Sequence, residues 1–212
     1  MKESATDTID KFWSWFIRNE VDLSETKTND STLLNRLRTE LKAVNPGFFY
    51  EFSTNTVPRE FIVTAGGNRD LFGLVEEFVS SAPRIPAWKI IALKPAKGFG
   101  FVTNYEGVDY DPKSMWFLPL VRKDGKLLPM GLRLGIPDLK AANMKPARFA
   151  AFVILDTCLG ERSSVDDIDY VDVALLPPDA EKKGYIELTE LPDYIQWRKR
   201  NAGKTDPSTR SG

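Results

Sequence analysis

The sequence predicts an α+β fold: a single twisted, largely antiparallel (mixed) β-sheet with helices packed on it. Three observations point there. Apolar residues first recur at helical spacing, as Ile9, Phe12, Trp13, Phe16 and Ile17. The period then drops to two over FFYEFST (48–54) and REFIVTA (59–65). Further on, Asp124-Gly125 joins two apolar runs in the manner of a two-residue hairpin turn. The length of 212 residues, with 42% hydrophobic and 28% charged, is ordinary for a globular protein with a sizeable core.

The elements follow in order. Residues 7–20 read as an amphipathic helix, with Trp15 off its apolar stripe. After a polar loop, Asn29, Asp30 and Ser31 are plausible caps for a second helix. Its Leu33, Leu34, Leu37, Leu41 and Val44 share a face, and it stops at Asn45-Pro46-Gly47. The two alternating runs flanking NTVP form a hairpin. Gly66-Gly67-Asn68 ends its second strand, DLFGLVEEFVSSA (70–82) is a helix burying Leu71, Leu74, Val75 and Phe78, and WKIIALK (88–94) is a strand. Strand, helix and strand in this order allow 59–65 and 88–94 to run parallel through a crossover.

Over 114–136, a two-residue turn would pair Lys123 with Lys126. It would set Met115, Phe117, Pro119 and Val121 beside Leu134, Leu132, Met130 and Leu128, one apolar face on both strands. Pro129 should face an edge or a ladder break, and Pro119 should interrupt the ladder. Pro146 suits the first turn of a helix running through RFAAFVILDTCL to Gly160, a run whose periodicity alone also fits a buried strand. DYVDVALLP (169–177) is a strand and LPDYIQWRKR a closing helix. The reading is one domain over 1–201 and a disordered tail over 202–212.

Composition excludes much chemistry. There is no histidine, which removes Ser-His-Asp and Cys-His catalysis and the common zinc sites. Cys158 is the only cysteine, so no intrachain disulfide forms, and a reducing cytoplasm is the expected location. The first residues are polar and acidic, unlike a signal peptide, and no run is long and apolar enough to span a membrane. No cofactor and no metal site are expected, since oxygen donors alone suit Mg²⁺ or Ca²⁺ rather than a transition metal. The net charge is −1, but 84–148 holds 12 Lys/Arg against 5 Asp/Glu while 161–190 holds 3 against 9. Neighbouring segments of opposite sign are expected to neutralise each other.

Four stretches are candidates for function. KGFGFVTNY (97–105) resembles the central strand of an RNA-recognition motif: Lys97, Gly98, Phe99, Gly100, Phe101 and Val102 match in order, and the closing aromatic slips to Tyr105. Base stacking on Phe99 and Phe101 with Lys97 at a phosphate is one reading. Alternation gives another, a structural strand with both rings in the core, because the opposite face offers only Val102 between Gly100 and Asn104. The second half of the motif is missing, and the core reading is adopted. Gly66, Gly67, Asn68 and Arg69 precede a helix and could hold an anion, which is the basis for an alternative as a histidine-free enzyme acting on a small anionic ligand. Trp15 is a candidate partner contact. Glu161, Asp166, Asp167, Asp169 and Asp172 are read as a solvated loop, and Cys158 as a buried small hydrophobe.

FWSWF, FIVTAGGNRDLFGLVEEFV and LDTCLGE (155–161) together resemble a group of uncharacterised small bacterial proteins. That resemblance implies a fold and no catalytic motif; such proteins are sometimes suggested to act as interaction or immunity proteins. The expected function is therefore a non-enzymatic protein-binding or regulatory module with an unidentified protein partner.

Overall fold

The computed structural model describes residues 5–25, 31–53, 56–120, 124 and 126–201. Its contacts divide the chain into two compact units, Met1–Lys94 and Pro95–Gly212. Strands and helices mix in both, as expected, but the strands form three sheets rather than one. The reason is that strand pairing is non-local: alternation shows which face of a strand is buried, not which strand lies beside it.

The first unit has two leading helices, α1 (Ala5–Glu25) and α2 (Ser31–Val44). A three-stranded sheet follows in the order β1-β2-β3, built from Phe49–Phe52, Arg59–Thr64 and Trp88–Ala92. β1 and β2 are antiparallel with Phe49 opposite Thr64, and β2 and β3 are parallel with Phe61 opposite Ile90. The crossover holds α3 (Phe72–Ser80), which buries Phe72, Val75 and Phe78. Leu74, expected in that core, is 46% exposed.

Phe61 is the hub. Its ring lies 5.0 Å from Phe16, 5.5 Å from Phe52, 6.1 Å from Tyr50 and 6.3 Å from Phe12, centroid to centroid. The α1 stripe also differs from expectation in its angle. Trp15 is buried and Ile17 exposed, because α2 packs on the Trp15 side and widens the apolar face in that direction. Arg59 closes the end of α1 by donating from Nη1 to the carbonyls of Leu23 and Ser24 at 2.6 and 2.9 Å. Those are carbonyls that the helix itself leaves without partners.

The second unit starts with a small hairpin, β4 (Thr103–Tyr105) and β5 (Val108–Tyr110). Its two-residue turn, Glu106-Gly107, has positive φ at both positions, as a type I′ turn requires. The main sheet runs β8-β7-β6-β9, from Ile168–Leu175, Met130–Ile136, Trp116–Leu120 and Ile186–Glu187. β6 and β7 are antiparallel, but Phe117 faces Leu134 and Pro119 faces Leu132, two residues away from the expected register.

A shift of two keeps every side chain on its face, so Met115, Phe117, Met130, Leu132 and Leu134 are all buried as expected. The displacement starts at Pro129. Pro129 has no N–H to extend the ladder, and the Met130 N–H donates to the Asp167 carbonyl at 2.8 Å, toward β8. β7 therefore begins at Met130, and the connection is longer than two residues. Val121, Lys123 and Gly125 lie outside the described residues, and with them the Lys123–Lys126 pair; so do Asn29, Asp30 and the tail from 202 onward.

β7 and β8 are parallel and joined through α4 (Met144–Leu159), a helix as expected, with Gly160 at its end in the left-handed region at φ 79°. α5 (Glu161–Asp166) and α6 (Leu191–Asn201) complete the unit. In α6 the buried Arg198 donates from Nη1 to the Leu127 carbonyl at 2.6 Å and from Nη2 to the Tyr194 hydroxyl at 3.1 Å.

Replacing the hub residue should be the most damaging single change to the first unit. Phe61→Ala is expected to cost about 3–5 kcal/mol, because the ring is fully enclosed and its aromatic neighbours cannot collapse into the gap. Urea denaturation monitored by tryptophan fluorescence measures this; a loss under about 1 kcal/mol would show that Phe61 is not the hub.

Candidate functional site

α4 is apolar nearly all round. Its first turn accommodates Pro146, whose missing N–H has no helical partner to lose. One face carries Ala147, Ala150, Ala151, Ile154, Leu155 and Cys158, all buried in the core of the second unit. The opposite face carries Phe149, Phe152 and Val153, which are 52%, 59% and 47% exposed. Spacings of three and four residues place these side by side on one stripe. The Tyr105 ring of β4 stacks on Phe149 at 6.0 Å and 24°, extending the apolar surface beyond the helix. Lys145 and Arg148 stand exposed at the N-terminal end of the stripe, where Arg148 Nη2 lies 4.0 Å from Asp172 Oδ1. Asp156, half-buried, stands at the other end.

A helix with apolar residues on all sides ordinarily lies buried on all sides. Here one side meets the sheet and the other meets solvent. This is the surface that sequence reasoning missed. The signal was present in RFAAFVILDTCL, which fits either period because it lacks a polar side.

A concavity of about 710 Å³ opens at the C-terminal ends of the parallel strands β7 and β8. Trp116, Pro137, Pro177 and Pro178 form apolar walls, and Asp138 and Glu181 are among the polar groups on it. Asp179 also lines it, bonded to Lys183 at 2.8 Å, and that ammonium holds its carboxyl below the usual range.

The residues singled out from the sequence fall elsewhere. Trp15, expected as a partner contact, is 8% exposed and lines a shallow groove with Arg18 and Arg36. Gly66 and Gly67 adopt φ of 60° and 80° in a tight turn. The donors of that turn bond locally: Gly66 N–H to Thr64 Oγ1, Asn68 N–H to the Ala65 carbonyl, and Asp70 N–H to Asn68 Oδ1. Arg69 is exposed beside it.

KGFGFVTNY is a strand only at Thr103–Tyr105; residues 97–102 form an irregular segment whose Lys97 N–H donates to the Thr157 carbonyl at 2.8 Å. Phe99 and Phe101 are half-buried and packed against the core, Lys97 is exposed, and Val102 is 59% exposed. The expected full-length strand is thus corrected, since Gly98 at φ 70° breaks extended geometry.

The acidic stretch is corrected as well. It is α5 followed by the start of β8, with Glu161 and Asp167 buried. Asp167 Oδ2 accepts from Ser163 Oγ and pairs with Lys199 Nζ, both at 2.7 Å, tying α6 to α5. Asp172 pairs with Arg133 at 2.8 Å, a hydrogen bond that raises the guanidinium's pKa further. Among the described residues, no group of three or more Cys, Asp or Glu could hold a metal ion, and no helix is long and apolar enough to cross a membrane.

Comparison of the chain with protein-family models, curated proteins and solved structures returns no match. The likeness to a bacterial group therefore rests on FWSWF, FIVTAGGNRDLFGLVEEFV and LDTCLGE alone.

Two measurements follow from these positions. Because Phe99 and Phe101 are only half-buried, truncating either to Ala should cost about 1–2 kcal/mol, less than for a fully enclosed ring. The RNA-binding reading instead requires unchanged stability and a salt-sensitive single-stranded RNA affinity that falls with each truncation. Denaturation alongside RNA titration separates the two.

Burial pushes the Cys158 thiol up to about 12. The folded state then keeps a proton that the unfolded chain releases above about pH 8.5, so this contribution to stability is intact below that pH and is lost as pH rises through the folded value. Alkaline destabilisation should be less steep in Cys158→Ala than in the parent chain. Equal slopes in urea titrations from neutral to strongly alkaline pH would contradict the assignment.

Proposed function

We propose that the chain is a non-enzymatic protein-binding module, of a regulatory or immunity type, whose docking surface is the outer face of α4. The observation that carries this reading is the exposure of Phe149, Phe152 and Val153 on one helical stripe, extended by Tyr105. Contiguous apolar surface of this kind costs free energy in water and marks interaction sites when polar residues rim it. Aromatic residues at the centre and Lys145 and Arg148 at the rim match the usual composition of an interface, where rings anchor and charges orient. The absence of histidine from the sequence supports binding over general acid–base chemistry. A single, buried cysteine fits a reducing cytoplasm.

Affinity capture from the cells that express the chain tests this, comparing the parent with Phe149→Ser/Phe152→Ser. Both side chains are about half exposed and Phe149 also loses its stack on Tyr105, so each substitution should cost about 1–2 kcal/mol and leave the chain folded. Proteins enriched by the parent, further copies of the chain included, should be lost from the variant. Capture that is indifferent to these two residues would refute the reading.

A further inference from the structure

Resting on that reading, we propose that the occupant of the α4 face is a second copy of this chain, joined about a two-fold axis as an antiparallel α4–α4 pair. The pattern along the stripe is the reason. A two-fold axis passing between Ala150 and Ala151 relates position 149 to 152, 148 to 153, and 145 to 156. Phe149 of each copy then meets Phe152 of the other, and Arg148 lies across from Val153. Lys145 lies across from Asp156, opposite charges brought together twice by one operation. An isologous interface requires such a patch, complementary to itself under rotation.

The helix dipole gives an independent argument. The N-terminal end of α4 carries Lys145 and then Arg148, with no acidic residue in the first turn, and its last turn carries Asp156 with no basic residue. This is the reverse of what a helix's own dipole favours, since partial positive charge sits at the N-terminus and negative at the C-terminus. An antiparallel neighbour corrects it: Lys145 comes to lie against the partner's C-terminal carbonyls and Asp156 against its N-terminal amides. A parallel partner would instead bring like charges together and leave the unfavourable arrangement in place. Tyr105, stacked on Phe149, continues the apolar surface beyond the two helices. Lys145 and Asp156 are eleven positions apart, so the helical contact spans about 16 Å at 1.5 Å per residue, which is short. Such an interface falls in the weak class, with dissociation in the micromolar range.

Sedimentation velocity on the full chain tests this over about 1–200 µM, a range that brackets micromolar dissociation. A concentration-dependent dimer is expected. Phe149→Asp/Phe152→Asp should be monomeric throughout, with an unchanged circular dichroism spectrum and a cooperative melt to show that it folds. Lys145→Glu should weaken the dimer about tenfold, since symmetry counts the lost pair twice. Lys145→Glu/Asp156→Lys in one chain should recover most of that loss. A chain that stays monomeric, a dimer indifferent to Phe149 and Phe152, or a charge swap that weakens the dimer beyond the single substitution would each overturn the antiparallel pair. A monomer that still captures a different protein through Phe149 and Phe152 would overturn self-pairing alone and leave α4 as the docking surface. A monomer whose captures ignore those residues would end both.

Discussion

Both units depend on a parallel pair of strands, and a parallel pair needs a helical crossover. Two antiparallel strands can be closed by two residues, as β4 and β5 are at Glu106-Gly107. β2 with β3, and β7 with β8, must send the chain back across the sheet, so each unit contains a helix whose position the sheet dictates. In the first unit α3 is short and presents Phe72, Val75 and Phe78 to an aromatic core centred on Phe61. In the second, α4 is longer, and its inner face carries Ala147, Ala150 and Ala151 followed by Ile154, Leu155 and Cys158. With that face taken up by the sheet, Phe149 and Phe152 are left on the exposed side. The exposed apolar face of α4 is thus a product of the crossover.

Local chemistry made much of the fold legible. Alternation in 48–65, Pro146 and Gly160 around α4, and the strand–helix–strand order of 59–94 each reflect a constraint acting within a few residues. What failed depended on partners distant in sequence. Parity of the 116–136 hairpin was readable because inward residues must alternate, whereas register depended on Met130 bonding toward Asp167, nearly forty positions later. Trp15 and Ile17 are equally apolar in a helical projection, and only the position of α2 decides between them. β9 has two residues, Ile186 and Glu187, too few to carry a period.

The candidate site was legible in kind and not in place. RFAAFVILDTCL shows a helix without a polar side, but nothing local indicates which side the sheet covers. Charge misled in the same way. The density of carboxylates in 161–172 suggested solvation, yet Asp167 is enclosed because Ser163 and Lys199 supply its partners, one four residues away and the other on a different helix. A buried charge is tolerated when paired, and pairing is a property of the fold.

The hydrogen bond from Arg198 to the Leu127 carbonyl has a consequence for the chain as it leaves a ribosome. Its partners are separated by 71 positions, and Leu188, Leu191 and Ile195 join the same late contribution to the core. At roughly 5–20 residues per second, that carbonyl waits several seconds for its donor. Every residue of the first unit, by contrast, has been made by Lys94. Synthesis therefore passes through an interval in which one unit has all its parts and the other, with β6, β7 and α4 already emerged, lacks the helix that closes it. During that interval the Leu127 carbonyl lacks its donor, and a stop codon placed before residue 188 would leave the second unit without Leu188, Leu191, Ile195 and Arg198 for good.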